Sequence, residues 1–310
     1  MRSRKQIILV TGAGGFVGRT VCAKLREHGH EIRAITRNGD GHTVVADLAK
    51  DDIPQSAFEG VTILIHMAAS LPGDTRDPNG EKTTEIAQRV AGAAKLNGVK
   101  RVIHLSSIAA RIAETEDASA RDYGLQKLEA ERVLEKTLDQ TQIVTLRPPL
   151  IYGRNAKGSF ATLCALVARG MPLPLGAATQ GRSYLSLNNL ASLMKTIVGA
   201  SDRKWRAADG LKFEPHDGAA ITTHDLALML ANAMDIAPRT FWAPPILLKS
   251  LGSLTGKRDQ VNALFESLEC RETPSLKDAF GFQPLEEMPE SLSFLSDMPA
   301  SPVSNETPSR

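Results

Sequence analysis

A glycine-rich loop between a predicted strand and a predicted helix constrains this fold more than any other feature. The apolar run at 7–10 reads IILV, the loop at 11–18 reads TGAGGFVG, and a helix-like segment follows directly. Gly12, Gly15 and Gly18 permit a tight turn, a close approach of the backbone to a bound group, and close packing of helix on strand. The helix N-terminus adds unpaired N–H donors and partial positive charge, so the loop predicts an anion-binding site.

Short apolar runs rich in valine and isoleucine alternate with helix-like stretches from residue 6 to about residue 147. This alternation is typical of βαβ units, in which helices bury parallel strands on both faces. We therefore predict an α/β fold with a doubly wound parallel sheet of the Rossmann type. The predicted strands are 6–10, 31–36, 43–46, 61–66, 100–106 and 141–147, and the predicted helices are 16–29, 81–97 and 121–138.

The pattern changes after the prolines at 148–149, where glycine, proline and small residues surround a helix-like segment at 158–170. Strand and helix signals resume over 182–213, and further helices are predicted at 223–235 and 244–254. A chain of this length is expected to form two lobes. The prediction assigns 1–150 and 182–213 to the larger first domain, 151–181 and 214–298 to a smaller α/β lobe, and 299–310 to a disordered tail.

Composition excludes several classes of protein. The chain has 37 Lys plus Arg against 35 Asp plus Glu, a formal net charge of +2 without long runs of either sign, so no nucleic acid partner is expected. The N-terminal apolar run is too short for a signal peptide core or a membrane span, so a cytoplasmic protein without a membrane partner is expected. Cys22, Cys164 and Cys270 are scattered, which predicts buried thiols and neither disulfides nor a metal site.

A tyrosine and a lysine stand four residues apart on the predicted helix at 121–138. Tyr123 and Lys127 form a YxxxK pattern and therefore share one face of the helix. A phenol with a pKa of about 10 is a poor acid or base at neutral pH, and an adjacent ammonium favours its charged form. We therefore predict that Lys127 lowers the pKa of Tyr123 and that Tyr123 is a catalytic acid and base.

Two serines, Ser106 and Ser107, follow the apolar run VIHL within the segment 102–110, which reads VIHLSSIAA. The carboxyl ends of parallel strands border the crevice in which open α/β sheets bind ligands, so these hydroxyls are candidates for contact with a reacting oxygen. For either Ser106 or Ser107 the alternative is a capping role at the strand end. The sequence has no GxSxG elbow that would indicate a serine hydrolase.

The glycine loop, the paired serines and the YxxxK pattern resemble the extended type of the short-chain dehydrogenase/reductase superfamily, which contains the NAD-dependent epimerases and dehydratases. The segments IHMAA at 65–69 and LRPPLIYG at 146–153 match it as well, and the resemblance extends over 6–296. It implies that Tyr123 moves a proton while a nicotinamide moves a hydride, and that Ser107 rather than Ser106 binds the reacting oxygen. The cofactor contacts that it implies are Gly12, Gly15, Phe16, Val17, Gly18, Arg37, Asp47, Leu48, Met67, Ala68, Ala69, Tyr123, Lys127 and Pro148.

The end of the second predicted strand indicates which cofactor is preferred. Dinucleotide folds that select NAD usually place an acidic residue there to hold the ribose hydroxyls, whereas an arginine suits a 2′-phosphate. This chain has Thr36 and Arg37 at that position, with Arg19 nearby. NADP is therefore favoured over NAD, and an exposed surface role is the alternative for Arg37.

The substrate is less constrained. Residues 171–190 resemble the substrate lobe of nucleotide-sugar epimerases, dehydratases and 4-reductases, which implies that Arg182 meets the diphosphate of a UDP-sugar. Two departures bear on the substrate: Thr83 stands where the family usually has an asparagine, and the interval from Ser107 to Tyr123 is short. The alternatives are a reductase of a hydrophobic carbonyl, such as a steroid or flavonoid, and a dinucleotide-sensing protein without activity. A homodimer is the family expectation.

Overall fold

The computed structural model describes residues 5–37, 39, 43–70, 81–115, 122–254 and 258–296. The chain divides into two compact units. The described residues of unit 1 fall within Met1–Pro149, Leu187–His216 and Cys270–Leu285, and those of unit 2 fall within Leu150–Ser186, Asp217–Glu269 and Glu286–Arg310. The predicted tail at 299–310 lies outside the described residues.

Eleven strands occur in the described part of the chain, and seven of them form one parallel sheet in unit 1, in the order β10-β6-β5-β4-β1-β2-β3. The order reverses between β1 and β4, which is the point at which a doubly wound sheet opens a crevice. The predicted doubly wound fold is therefore confirmed. The strands are β1 (Ile7–Thr11), β2 (Glu31–Thr36), β3 (Thr43–Val45), β4 (Ile63–His66), β5 (Arg101–Leu105), β6 (Gln142–Leu146), β7 (Leu150–Tyr152), β8 (Gly181–Arg182), β9 (Tyr184–Ser186), β10 (Lys212–Phe213) and β11 (Ile221–Thr222).

Helices cover the sheet because its strands are apolar on both faces, and β1, β4, β5 and β6 are almost wholly buried. Helices α2 and α3 each pack against α4, and α1 packs against α6. The helices are α1 (Phe16–Glu27), α2 (Lys82–Leu96), α3 (Ile108–Thr115), α4 (Asp122–Thr137), α5 (Ser159–Ala168), α6 (Leu187–Val198), α7 (Asp202–Ala207), α8 (Thr223–Ala233), α9 (Pro245–Leu254), α10 (Arg258–Ala263), α11 (Leu276–Phe280) and α12 (Met288–Ser291).

Unit 2 has two small sheets, with β7 parallel to β9 and β8 antiparallel to β11. Its core packs α5 and α8 around aromatic and aliphatic side chains that include Tyr152, Phe160 and Leu230. Within the described residues no helix is both long and apolar enough to cross a membrane.

The two units differ from the predicted domains at four places. Residues 150 and 182–186 lie in unit 2, whereas 214–216 and 270–285 lie in unit 1. Long-range bonds explain the last difference, because the Arg271 N–H donates to the Glu214 carboxylate at 2.8 Å and the Leu285 N–H donates to Asn189 at 2.8 Å. No local sequence pattern in 270–285 predicts these two contacts.

Candidate active site

The glycine loop packs tightly against the end of β4. Gly12 has a φ of +73°, and a Cβ there would lie 2.8 Å from the Ala68 nitrogen and 2.8 Å from the Met67 carbonyl carbon. A Cβ on Gly18 would overlap the Gly12 carbonyl oxygen and lie 2.7 Å from the Ala13 Cα. Only glycine fits both positions, so the spacing of these glycines reflects close backbone approach.

The same loop leads directly into the N-terminus of α1, where the first-turn N–H groups are available as hydrogen-bond donors. Gly15 is the N-cap residue, and within the described residues no side chain caps this helix and its first turn holds no acidic residue. Phe16 and Val17 follow as half-buried residues. The Arg19 Nε donates to the Gly14 carbonyl at 2.8 Å, which adds a positive charge beside the loop. This arrangement is suited to an anion.

The carboxyl ends of β1 and β4 are joined through Thr11. Its hydroxyl contacts the His66 Nδ1 at 2.7 Å and accepts from the Met67 and Ala68 N–H groups at 3.2 and 3.3 Å. Burial, together with the smaller effect of the Lys127 charge, lowers the pKa of His66 to about 3. His66 is therefore a neutral core histidine, and Thr11 links His66, Met67 and Ala68 to the end of β1.

The residues predicted to contact the adenosine half of a cofactor lie near the ends of β2 and β3. Thr36 is half-buried, with its methyl group 3.8 Å from the position of a Cβ on Gly14, and Arg37 is exposed. Asp47 is half-buried and accepts from the Ala49 N–H at 3.2 Å, whereas Leu48 is buried. The Asp47 carboxylate thus has a local partner in the turn.

Tyr123 lies in the first turn of α4, where its hydroxyl group is hydrogen-bonded to the Ser107 side chain. The Ser107 Oγ also accepts from the Ala109 N–H at 3.2 Å, so Ser107 caps α3 while it meets the phenol. Gly124 permits this approach, since a Cβ there would lie 2.5 Å from the Ala109 carbonyl oxygen. Sequence reasoning missed the role of Gly124, although its place inside the YxxxK pattern was a signal.

Lys127 follows one turn later and is buried, with its Nζ donating to the Leu105 carbonyl at 3.1 Å. Burial lowers the pKa of Lys127 to about 8, and the Glu131 charge opposes this shift. Burial raises the pKa of Tyr123, and the hydrogen bond with Ser107 opposes that rise. The prediction that Lys127 lowers the pKa of Tyr123 is wrong for this structure, because desolvation of the phenol outweighs the other contributions.

Ser106 points away from Tyr123 into a buried ionic cluster. Its hydroxyl donates to Glu131, which also accepts from the Arg147 Nε at 2.9 Å and Nη2 at 2.6 Å. Arg147 reaches Glu114 on α3 at 2.7 Å, and Lys212 on β10 lies 3.5 Å from Glu131. Sequence reasoning missed this cluster, whose only local signal is a glutamate one turn after Lys127 on the same helix face.

Two further residues singled out in the sequence have structural partners. Thr83 is buried on α2 and accepts from the Ser70 N–H at 3.1 Å. The Pro148 carbonyl accepts from the Ile108 N–H at 2.9 Å, which ties the end of β6 to the start of α3.

Arg182 lies in unit 2, where its Nη1 donates to the Ala263 and Glu266 carbonyls at 2.5 and 3.1 Å. It is half-buried and also hydrogen-bonds Tyr184. The guanidinium therefore connects β8 to the end of α10 and to the segment that follows it. In unit 1, by contrast, the candidate residues of the glycine loop, the β4 end and the Ser107–Tyr123–Lys127 group all lie at the carboxyl edge of the sheet.

The described residues contain no group of His, Cys, Asp and Glu side chains that could hold a metal ion. All three cysteines are free, and Cys22 and Cys164 are buried. Burial raises the pKa of Cys22 to about 11, so its thiol stays protonated at neutral pH. Cys270 is only half-buried, which corrects the prediction of three buried thiols.

Solved structures share this fold. The UDP-N-acetylglucosamine 4-epimerase from Bacillus cereus superposes with a TM-score of 0.73 at 17% identity, covering 94% of this chain and 98% of that one. MoeE5, solved in complex with UDP-glucose and NAD, superposes with a TM-score of 0.72 at 22% identity, covering 92% of this chain and 96% of that one. At these identities the likeness concerns the fold.

Sequence comparison goes further. A UDP-glucose 4-epimerase from Vibrio cholerae is 30% identical over 319 aligned positions, covering 93% of this chain and 94% of that protein. A UDP-2-acetamido-2,6-beta-L-arabino-hexul-4-ose reductase from Pseudomonas aeruginosa is 26% identical over 215 aligned positions, and this alignment covers 67% of this chain and 53% of that protein. The model of the NAD dependent epimerase/dehydratase family matches residues 8–207. The chain therefore belongs to the NAD dependent epimerase/dehydratase family.

Proposed function

We propose that this chain is an NAD(P)-dependent enzyme that acts at C4 of a nucleotide-linked hexose, as a UDP-sugar 4-epimerase or 4-reductase. The observation that carries the proposal is the hydrogen bond between Ser107 and Tyr123, with the buried Lys127 one turn along α4. The similarity to a UDP-glucose 4-epimerase over nearly the whole chain supports the choice of substrate class.

The glycine loop fits a dinucleotide. Any side chain on Gly12 or Gly18 would clash with neighbouring backbone atoms, and the N-terminus of α1 offers N–H donors beside the loop. Gly15, Phe16 and Val17 would hold the pyrophosphate, and Ala68 and Ala69 would leave room for the dinucleotide against β4. A bound nicotinamide would supply a hydride to the substrate carbon or take one from it. Exposed Arg37 beside Thr36, with Arg19 on the first turn of α1, favours NADP.

Tyr123 and Ser107 would act on the reacting oxygen. With its pKa raised by burial, the Tyr123 phenol keeps its proton at neutral pH and is ready to donate it to an alkoxide formed at C4. In the oxidative direction Tyr123 must first lose that proton, which the hydrogen bond with Ser107 would favour because it opposes the rise in the phenol pKa. Ser107 hydrogen-bonds the phenol and would orient the substrate oxygen beside it. Lys127 would also hold the nicotinamide ribose.

Arg182 is the proposed contact for the substrate diphosphate, because a guanidinium forms forked bonds to phosphate oxygens. One observation favours a second candidate function, the reduction of a hydrophobic carbonyl without a phosphate. The Arg182 Nη1 already donates to the Ala263 and Glu266 carbonyls, so this arginine has a structural role of its own.

One experiment separates these candidates. The purified protein is denatured and the released dinucleotide is identified, and calorimetry then measures the binding of NADPH, NADH and UDP. A 4-epimerase is expected to release tightly bound NAD, whereas a 4-reductase exchanges NADPH freely and still binds UDP. Binding of dinucleotide without UDP would favour the hydrophobic carbonyl. If the protein neither carries nor binds a dinucleotide, the proposed function is wrong.

A further inference from the structure

Glu131 is a buried carboxylate on the helix that carries Tyr123 and Lys127. It lies one turn after Lys127 on the same face of α4, with 1% of the residue exposed. Its oxygens accept from the Ser106 hydroxyl and from two nitrogens of Arg147. Because burying a carboxylate is unfavourable unless charges and hydrogen bonds compensate it, a retained charge here invites a functional explanation.

Lys127 is the cation of this cluster that can most readily lose its proton. Arg147 stays protonated in proteins, and the Lys212 side chain is 25% exposed and lies 3.1 Å from Glu135. Lys127 is fully desolvated, and Glu131 is the charge that offsets this desolvation. The ion pairs join Arg147 and Lys212 to Glu114, Glu131 and Glu135. With Lys127, whose desolvation the Glu131 charge offsets, the positive and negative side chains of the cluster are equal in number.

The strands β4 and β5, which lie near Lys127, carry no acidic side chain. His66 on β4 and His104 on β5 are buried with stacked rings 5.2 Å apart, and the Lys127 charge contributes to the lowered pKa of each. Both histidines are therefore neutral at neutral pH. Among the described residues, Glu131 is the carboxylate that acts on the Lys127 ammonium.

We propose that Glu131 is a positioning residue for the Tyr123–Lys127 pair. Glu131 supplies the negative charge that keeps Lys127 an ammonium, and its hydrogen bond with Ser106 connects the end of β5 to α4. This inference rests on the proposed function, in which Lys127 acts as a cation beside Tyr123 and the cofactor ribose. Without the Glu131 charge the cluster would hold one excess positive charge, and the proton that leaves most easily is that of Lys127.

The first test replaces Glu131 by glutamine, which keeps its shape and removes its charge. In Glu131→Gln the pH at which dinucleotide affinity falls by half, measured by NADPH fluorescence, should move down by about one unit or more. Glu214→Gln is the matched control, because Glu214 is also buried in unit 1 and paired, with Arg111 Nε at 2.9 Å. The control should keep the parental pH of half-affinity.

A second readout needs no cofactor. A lysine with a folded pKa below its unfolded pKa binds more protons when unfolded, so stability rises with pH between the two values. In the parent this window opens near the Lys127 pKa of about 8. In Glu131→Gln it should open lower, so the Tm of the variant should rise relative to the parent between about pH 6.5 and 8. A role confined to packing would leave the two Tm curves parallel.

Lys212→Met is a variant that is expected to fold, and its pH of half-affinity should shift in the direction opposite to that of Glu131→Gln. Lys212 is partly exposed and lies 3.5 Å from Glu131, so its removal leaves the Glu131 charge less compensated and favours protonation of Lys127. Its pH of half-affinity should therefore move up. Glu131→Asp, which keeps the charge, should stay closer to the parent than Glu131→Gln does.

Shifts in opposite directions for Glu131→Gln and Lys212→Met, with Glu214→Gln unmoved, would support the inference. Unchanged or parallel profiles for both variants, in a parent that binds dinucleotide, would overturn it and leave the proposed function intact. If Glu131→Gln does not fold, an unmoved profile in Lys212→Met overturns the inference by itself. A parent without dinucleotide binding instead overturns the proposed function, and parallel Tm curves would then still decide against the role of Glu131.

Discussion

The candidate residues of unit 1 and the candidate arginine of unit 2 are held in different ways. In unit 1, Ser107 and the segment 67–69 follow directly from buried parallel strands, whose carboxyl ends share one edge of the sheet. In unit 2, Arg182 lies on a two-residue strand and is held by carbonyls of residues 263 and 266, more than eighty positions along the chain. Local pattern therefore predicts placement in unit 1, whereas long-range contacts decide it in unit 2.

The comparison is tested most severely at Tyr123. Tyr123→Phe keeps the ring and should fold and bind dinucleotide as the parent does, but turnover should fall by about 10²–10⁴-fold because proton transfer is lost. Steady-state kinetics with the substrate class proposed above provides the measurement. In the oxidative direction the parental rate should rise with pH as the phenol deprotonates, and this limb should be absent from the variant. Parental turnover in Tyr123→Phe would show that the chemistry lies elsewhere.

Ser107 and Ser106 form a matched pair for the same edge of the sheet. Ser107→Ala should lower turnover by more than Ser106→Ala, because Ser107 meets Tyr123 whereas Ser106 donates to the buried Glu131. Ser106→Ala should instead lower the free energy of unfolding by about 1–3 kcal/mol, since it leaves a buried acceptor short of a donor. Kinetics and denaturant unfolding of both variants would check this. Equal losses of turnover would contradict the assignment.

The glycine loop offers a matched pair of glycines. Gly12→Ala places a Cβ at 2.8 Å from backbone atoms of Met67 and Ala68 in a left-handed conformation, so stability should fall by about 2–4 kcal/mol and dinucleotide binding should weaken. In Gly14→Ala the nearest neighbour of the Cβ is the Thr36 methyl at 3.8 Å, so it should fold normally. Thermal unfolding and calorimetry would measure both. A Gly12→Ala variant that behaves like Gly14→Ala would contradict the close approach described here.

Arg182 tests the other side of the comparison. Arg182→Ala should lower the free energy of unfolding by about 1.5–3 kcal/mol for a lost charge-assisted hydrogen bond, and weaken UDP binding while leaving dinucleotide affinity nearly unchanged. Arg239→Ala is the control, since this exposed arginine of unit 2 donates to the Gly170 carbonyl at 3.3 Å. Loss of stability with unchanged UDP affinity would mean that Arg182 is purely structural.

The smallest effect is expected at the exposed end of β2. Arg37→Ala should reduce the preference for NADPH over NADH by about tenfold, the lower end of the range for one charge-assisted contact, because Arg37 is exposed. Fluorescence titration of both dinucleotides against parent and variant measures the difference. Equal affinities, or tighter binding of NADH by the parent, would overturn the preference for NADP.

Most of the sheet was predictable because its strands are short apolar runs between helices of clear periodicity. The predicted strand at 31–36 is Glu31–Thr36 in the structure, and the predicted helix at 121–138 is Asp122–Thr137. Helix α3 was not predicted, since its start is set by the Ser107 cap and by the Pro148 carbonyl from a different strand. The return of 270–285 to unit 1 was missed for the same reason.

The sequence alone determined the doubly wound sheet, the glycine loop and the shared helix face of Tyr123 and Lys127, because each follows from spacing within one element or between neighbouring elements. The resemblance favoured Ser107 over Ser106, but the partners of the two serines follow only from the tertiary structure, in which Ser107 hydrogen-bonds Tyr123 and Ser106 donates to the buried Glu131. The protonation of Lys127 and the carbonyl partners of Arg182 were also decided there. Burial and charge depend on residues brought together from distant parts of the chain, which no local pattern encodes.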